Sequence, residues 1–213
     1  MKTEELVSLL AAGESPVAAH PISRRYATAL AWSLPLAVLI MATVYGVRSD
    51  LAQATAGVIF WVKLGFAGSL AGAGLVATSR LGHPGVRPGR VWAAMAAPLL
   101  LLWALAAVTL MQAEPAQRPD LILGKTWKTC AFNIALISLP LMAAMLWTMK
   151  GMAPTRLGLA GACAGLLAGA LGTLIYTFHC PESAAPFVAI WYVIGIAIPT
   201  LIGATLGPRV LRW

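Results

Sequence analysis

Thr129 to Met149 reads TCAFNIALISLPLMAAMLWTM, and after a short polar break Leu157 to Phe178 reads LGLAGACAGLLAGALGTLIYTF. Neither run holds a charged residue, and each is long enough to cross a hydrocarbon core of roughly 30 Å as a helix. A soluble domain has no interior large enough to hide such runs one after another. Working outward, runs of the same kind occur at Tyr26–Gly46, Thr55–Thr78, Val91–Met111 and Ala185–Leu206. With 60% hydrophobic and 10% charged residues over 213 positions, the chain reads as an all-α polytopic membrane protein. It divides into an N-terminal segment, residues 1–24, and a six-helix transmembrane domain, residues 25–213.

The net charge of +8 would suggest nucleic acid in a soluble protein. Here Lys and Arg sit between apolar runs, with no basic stripe interleaved with aromatics, so the charge reports orientation and not direct nucleic-acid binding. Ten of the fifteen Lys and Arg fall in the segments on the side of the N-terminus, four on the other side, and Lys63 inside a span. The positive-inside rule then places both termini in the cytoplasm. Ser23-Arg24-Arg25-Tyr26 resembles a twin-arginine export signal, but the full-length span after it and five more beyond read as a retained first helix.

The N-terminal segment predicts one short amphipathic helix. Thr3 is placed to cap it, Glu4 and Glu5 complement its positive end, and Leu6, Leu9 and Leu10 share a face before Gly13 and Pro16 end the pattern. Such a helix is marginal alone and calls for a partner surface. Its acidic first turn suits a basic protein better than a membrane, whose surface helices carry Lys and Arg.

Cys130 enters the fourth span and Cys180 leaves the fifth on the same, outer side. The short connection between these spans makes them antiparallel neighbours, which puts the two thiols at similar depth. Four readings stay open: a switchable redox pair, a static disulfide, a soft metal site of Cys130, His179 and Cys180, or unreacted thiols. The cysteine spacings exclude a closed zinc site and a C-x-x-C redox motif, and no cofactor is expected. Cys163, deeper in the same hairpin, reads as a small core residue.

Lys63 is expected either to snorkel outward or to pair with Asp50, Asp120 or Glu182. Gly161, Gly165 and Gly169 form a smooth stripe for close helix approach, within the bundle or in a homodimer through the fifth span. Leu64–Gly72 and Leu157–Gly165 share the pattern LGxAGxxAG, and Ser33–Leu36 and Ser138–Leu141 both read Ser-Leu-Pro-Leu. These matches raise an inverted repeat, as in many transporters. A small transporter using Lys63 and an envelope thiol oxidoreductase using Cys130 and Cys180 are therefore the rival functions.

The opening Met-Lys-Thr-Glu-Glu-Leu, the six spans, Trp127 to Cys130, Tyr176 to Cys180, Trp191 with Tyr192, and the closing Leu211-Arg212-Trp213 together resemble the NrsF-type integral membrane anti-sigma factors of proteobacteria. The resemblance covers essentially the whole chain. It implies a non-enzymatic negative regulator that holds an extracytoplasmic-function (ECF) sigma factor at the inner membrane until envelope stress arrives. It further implies that a periplasm-side cysteine pair, here Cys130 and Cys180, takes part in sensing, and that the N-terminal segment makes the cytoplasmic contact. Cys163 and His179 have no counterpart in that pattern of roles.

Overall fold

The computed structural model describes residues 2–12, 21–83, 85–86, 89–152 and 154–212, and these are helical with no strand. Gly13, Pro16 and Trp213 lie outside the described residues. Helix α1 spans Thr3–Ala12. Its first turn is closed by the Lys2 carbonyl accepting from the Glu5 and Leu6 amides. Lys2, not Thr3, therefore stands at the cap, one residue earlier than the sequence suggests.

Six helices among the described residues are long and apolar enough to cross a membrane. The first is α2, Pro21–Ile40, which runs on into a wide π-helical turn at Met41–Tyr45 and stops at Gly46, whose φ of 78° suits a residue without Cβ. A short α3, Leu51–Ala56, leads to α4, Val58–Leu81, and then α5, Val91–Gln112. Another short helix, α6, Arg118–Leu123, precedes α7, Trp127–Lys150, and α8, Leu157–Tyr176. The last span is built from α9, Ala185–Phe187, a second π-helical turn at Val188–Tyr192, and α10, Val193–Val210. These limits agree with the apolar runs to within a few residues, because hydropathy and span length are set by the same slab of lipid.

Helix α8 is the centre of the bundle. Its spanning window is 67% buried, against 22% for the first and third spans. It packs against α10, α4 and α7, while α2 lies on α7 and α5 on α4. The approach of α8 to α10 is made backbone to backbone: a Cβ on Gly161 would run into the Gly203 carbonyl and Gly207, one on Gly165 into the Pro199 carbonyl, and one on Gly169 into Pro199 and Ile196. The glycine stripe thus serves packing inside the bundle, and α10 occupies the face that a dimer through this stripe would need. The related glycines of α4, Gly65, Gly68 and Gly72, have nothing within 4 Å. The shared LGxAGxxAG pattern is used in two different ways.

Ser and Thr hydroxyls inside the spans turn back on their own helices. Ser33 donates to Ala29 O at 2.8 Å, Ser138 to Ile134 O at 2.7 Å and Thr173 to Gly169 O at 2.8 Å. These three donors are thereby paired inside the protein, since lipid offers no partner, whereas the buried hydroxyls of Tyr26 and Tyr192 have no hydrogen-bond partner among the described residues. Large apolar side chains such as Trp32, Trp61, Leu101, Trp147 and Leu201 stay exposed on the outside of the bundle, the surface expected to meet acyl chains.

Candidate functional site

The chain reversal after α8 carries Phe178, His179, Cys180, Pro181 and Glu182, and four of the six spans converge on it. Cys130, in the first turn of α7, and Cys180 are both fully buried free thiols. Their side chains are neighbours, with the Cys130 thiol close enough to bear on Cys180. The antiparallel hairpin read from the sequence therefore does bring the two sulfurs together. The Cys180 thiol is pulled down to about 6, first by the neighbouring Cys130 thiol and then by the Lys63 ammonium, against the opposing effect of burial. Tyr192, from the π-helical turn, lies beside Cys180, and Tyr176 lies near Asn133 and Cys130.

Lys63 neither snorkels nor pairs with a carboxylate. Only 1% exposed, it turns into the bundle, donates to the carbonyls of Cys180 and Glu182, and stands 5.4 Å from the centre of the Tyr192 ring. The expected acidic partners are engaged elsewhere or point away. Asp50 is held by Arg48 in a two-pronged ion pair at 2.7 Å for each contact, and that bonding keeps its carboxyl below the usual range. Asp120 is exposed. Glu182 directs its carboxylate to the start of α7, accepting from the Lys125 amide at 2.7 Å, the Thr126 amide at 3.0 Å and the Thr126 hydroxyl at 3.1 Å. It thereby holds the two residues before α7 in place and sets a negative charge at that helix's start, where the first turn has no acidic residue. Gly124 makes room: its φ is 57°, and a Cβ there would strike the Glu182 carboxylate and Phe187.

Arg48 closes the other side of the reversal. Its amide donates to Phe178 O at 3.1 Å and its guanidinium to Cys180 O at 3.0 Å. The Cys180 carbonyl thus takes one bond from the end of the first span and one from the second. Arg48 reads in the sequence only as an outer-side charge. Its position directly after the Tyr45-Gly46 end of span one, at the same level as Cys180, is the signal that points to more.

His179 does not join the thiols. Its Nδ1–H donates to Gly46 O at 2.8 Å, and its ring packs between Tyr45 and Tyr176, with centroids 5.5 and 5.4 Å away. Among the described residues no three His, Cys, Asp or Glu side chains are placed to hold a metal ion, so Cys130, His179 and Cys180 are not one donor set. Cys163 lies apart from the pair, 3% exposed and near Tyr26, as a core residue. A cavity of about 320 Å³, lined in part by Arg48, Gln53, Phe60, Lys63 and Ser183, leads to the cationic side of the thiol site.

Comparison with known proteins bears on what such a site serves. Residues 10–213 match the sequence model of the NrsF family, described as negative regulator of sigma F. The chain belongs to the NrsF family. It is 47% identical over 213 residues to a protein of Azospira oryzae named probable anti-sigma-F factor NrsF, with all of both chains covered. It is 37% identical over 221 aligned positions to the anti-sigma-F factor NrsF of Caulobacter vibrioides, again with full coverage of both. No solved structure matches it. The six spans and the buried thiol site lie inside the matched region. Of α1, Glu4, Glu5, Leu6 and Leu9 precede its first matched residue, and Leu10 opens it. No residue of α1 is buried: Leu6, Leu9 and Leu10 are 42%, 62% and 65% exposed, and Glu4 and Glu5 are exposed beside them.

Proposed function

We propose that the protein is an inner-membrane anti-sigma factor that sequesters an ECF-type sigma factor through its cytoplasmic N-terminal segment and releases it when an envelope signal changes the Cys130–Cys180 pair. The observation that carries this reading is the contact of two buried free thiols, one drawn toward thiolate, at one end of a bundle whose other end holds the start of span one. Arg25 donates to Gly151 O at 2.8 Å, so the root of the N-terminal segment meets the far end of α7, about 30 Å of helix from Cys130. Signal and partner act on opposite faces.

On the partner side, α1 offers Leu6, Leu9 and Leu10 for an apolar contact. Glu4 and Glu5 oppose basic sigma surface that otherwise meets DNA. Both termini stand in the cytoplasm by the Lys and Arg bias. On the signal side, full burial limits access to small reagents. Hydrogen peroxide suffices chemically: the Cys180 thiolate attacks one peroxide oxygen to give a sulfenic acid, the other oxygen leaving as hydroxide that is protonated to water, and Cys130 displaces water from the sulfenic acid. Overall two thiols and one peroxide yield one disulfide and two waters.

Energetics set a bound on the switch. A disulfide is worth about 2–4 kcal/mol against the unfolded chain, whereas moving an equilibrium from 1:99 to 99:1 needs about 5.5 kcal/mol. Only the difference in bond stability between the two native arrangements drives release, so the bound and releasing states lie close in free energy. Co-purification of the full protein with its cytoplasmic partners, with and without peroxide, tests the whole reading. Retention without oxidant and release with it are expected; failure to retain any sigma factor in the reduced state overturns it.

A further inference from the structure

Where span one begins, α2 and α7 part around two linked cavities. The first, of about 430 Å³, is lined by Arg25, Thr28, Trp147, Thr148, Lys150 and Gly151. The second, of about 500 Å³, continues from it through the shared Thr28 and Trp147 and is walled by Trp32, Leu36, Pro140 and Ala143. The mouth is polar and holds two cations, with no carboxylate among the described residues of its lining. The trough beyond is apolar and follows α2 for eight residues, about 12 Å at 1.5 Å per residue.

We infer that this groove seats one anionic phospholipid of the leaflet at the Arg25 end, with its phosphate between Arg25 and Lys150 and an acyl chain along the trough. The charge of the mouth selects an anion. Arg25 spends one guanidinium nitrogen on Gly151 O and keeps further donors, whose planar fork matches phosphate oxygens. The trough opens sideways onto the lipid-facing surface, since Trp32 is 83% and Trp147 77% exposed. An occupant must therefore join an anionic head to an apolar tail. Free phosphate would leave the trough bare, and a peptide would bring unpaired amides into hydrocarbon. Small residues make the space: Ala143 and Ala144 of α7 leave room beside Pro140, and on α2 Ser33 folds back on Ala29 O. Basic pockets between helices on one membrane face are a known setting for such head groups. The inference stands apart from the sigma-binding reading.

The test is native mass spectrometry of the full protein with added phosphatidylglycerol or phosphatidylcholine, with thermal unfolding as the control for folding. One phosphatidylglycerol is expected to stay bound in preference to phosphatidylcholine. In Arg25→Gln/Lys150→Gln its affinity should fall roughly thirty-fold, the effect of two cations near a lipid surface, while Arg209→Gln/Arg212→Gln should keep it. Ala143→Phe, which fills the trough and leaves both cations, should also weaken it. Equal retention of the two lipids, equal losses in the two charge variants, or unchanged binding in Ala143→Phe would each overturn the seat.

Discussion

At the scale of single residues, Cys180 and Lys63 control each other's surroundings. The ammonium favours the thiolate, and the carbonyl of the same cysteine helps to solvate the ammonium. Replacing Lys63 by Met is expected to raise the titration midpoint of Cys180, read from thiolate ultraviolet absorbance in detergent. A midpoint that stays in place would remove Lys63 from the site's electrostatics. The pH dependence of stability has a definite sign. A thiol at about 6 in the folded protein, against an ordinary value of about 8.5, binds fewer protons folded than unfolded between those limits. Its stabilising contribution is complete above about 8.5 and is lost as pH falls through 6. Thermal unfolding should therefore shift upward with pH across this window, and Cys180→Ser should flatten that rise. In cells, Cys130→Ser and Cys180→Ser should each abolish induction while keeping sigma binding; unchanged induction in both would rule out a thiol switch.

At the scale of helices, the α8–α10 seam and the free glycines of α4 give paired expectations. Gly165→Ala drives a methyl into the Pro199 carbonyl and should cost about 1–3 kcal/mol of bundle stability, the usual range for overpacking. Gly68→Ala, facing open space, should be close to neutral. Chemical denaturation in detergent separates the two, and equal effects would mean the seam can spread. Identical sequence patterns with opposite neighbours show where sequence reasoning stops. Hydropathy fixes where helices start and end, because lipid imposes it on each segment separately, and the short hairpin after Lys150 places Cys130 beside Cys180. The neighbours of Gly68, by contrast, depend on which helix the bundle sets against α4. The partners of Lys63 depend on the carbonyls of an irregular reversal at 177–184 that carries no periodicity, and for that reason the carboxylates looked like its natural mates.

For the molecule as a whole, the thiol site and the N-terminal arm are separable. Deleting residues 2–12 should leave the thermal unfolding of the bundle unchanged, since no side chain of α1 is buried, and should abolish capture of the sigma factor. Loss of both together would make α1 part of the fold. The Glu182 bonds to the entry of α7 have one more consequence, for biogenesis. The entry to the fourth span is held by a residue synthesised 56 positions after Thr126, and Cys180 follows Cys130 by a similar interval. Until the fifth span has been inserted and the chain has turned back, the Lys125 and Thr126 amides must rely on water and Cys130 has no Cys180 beside it. The pair comes into being late in insertion, so a truncated or half-inserted chain has no such pair to oxidise.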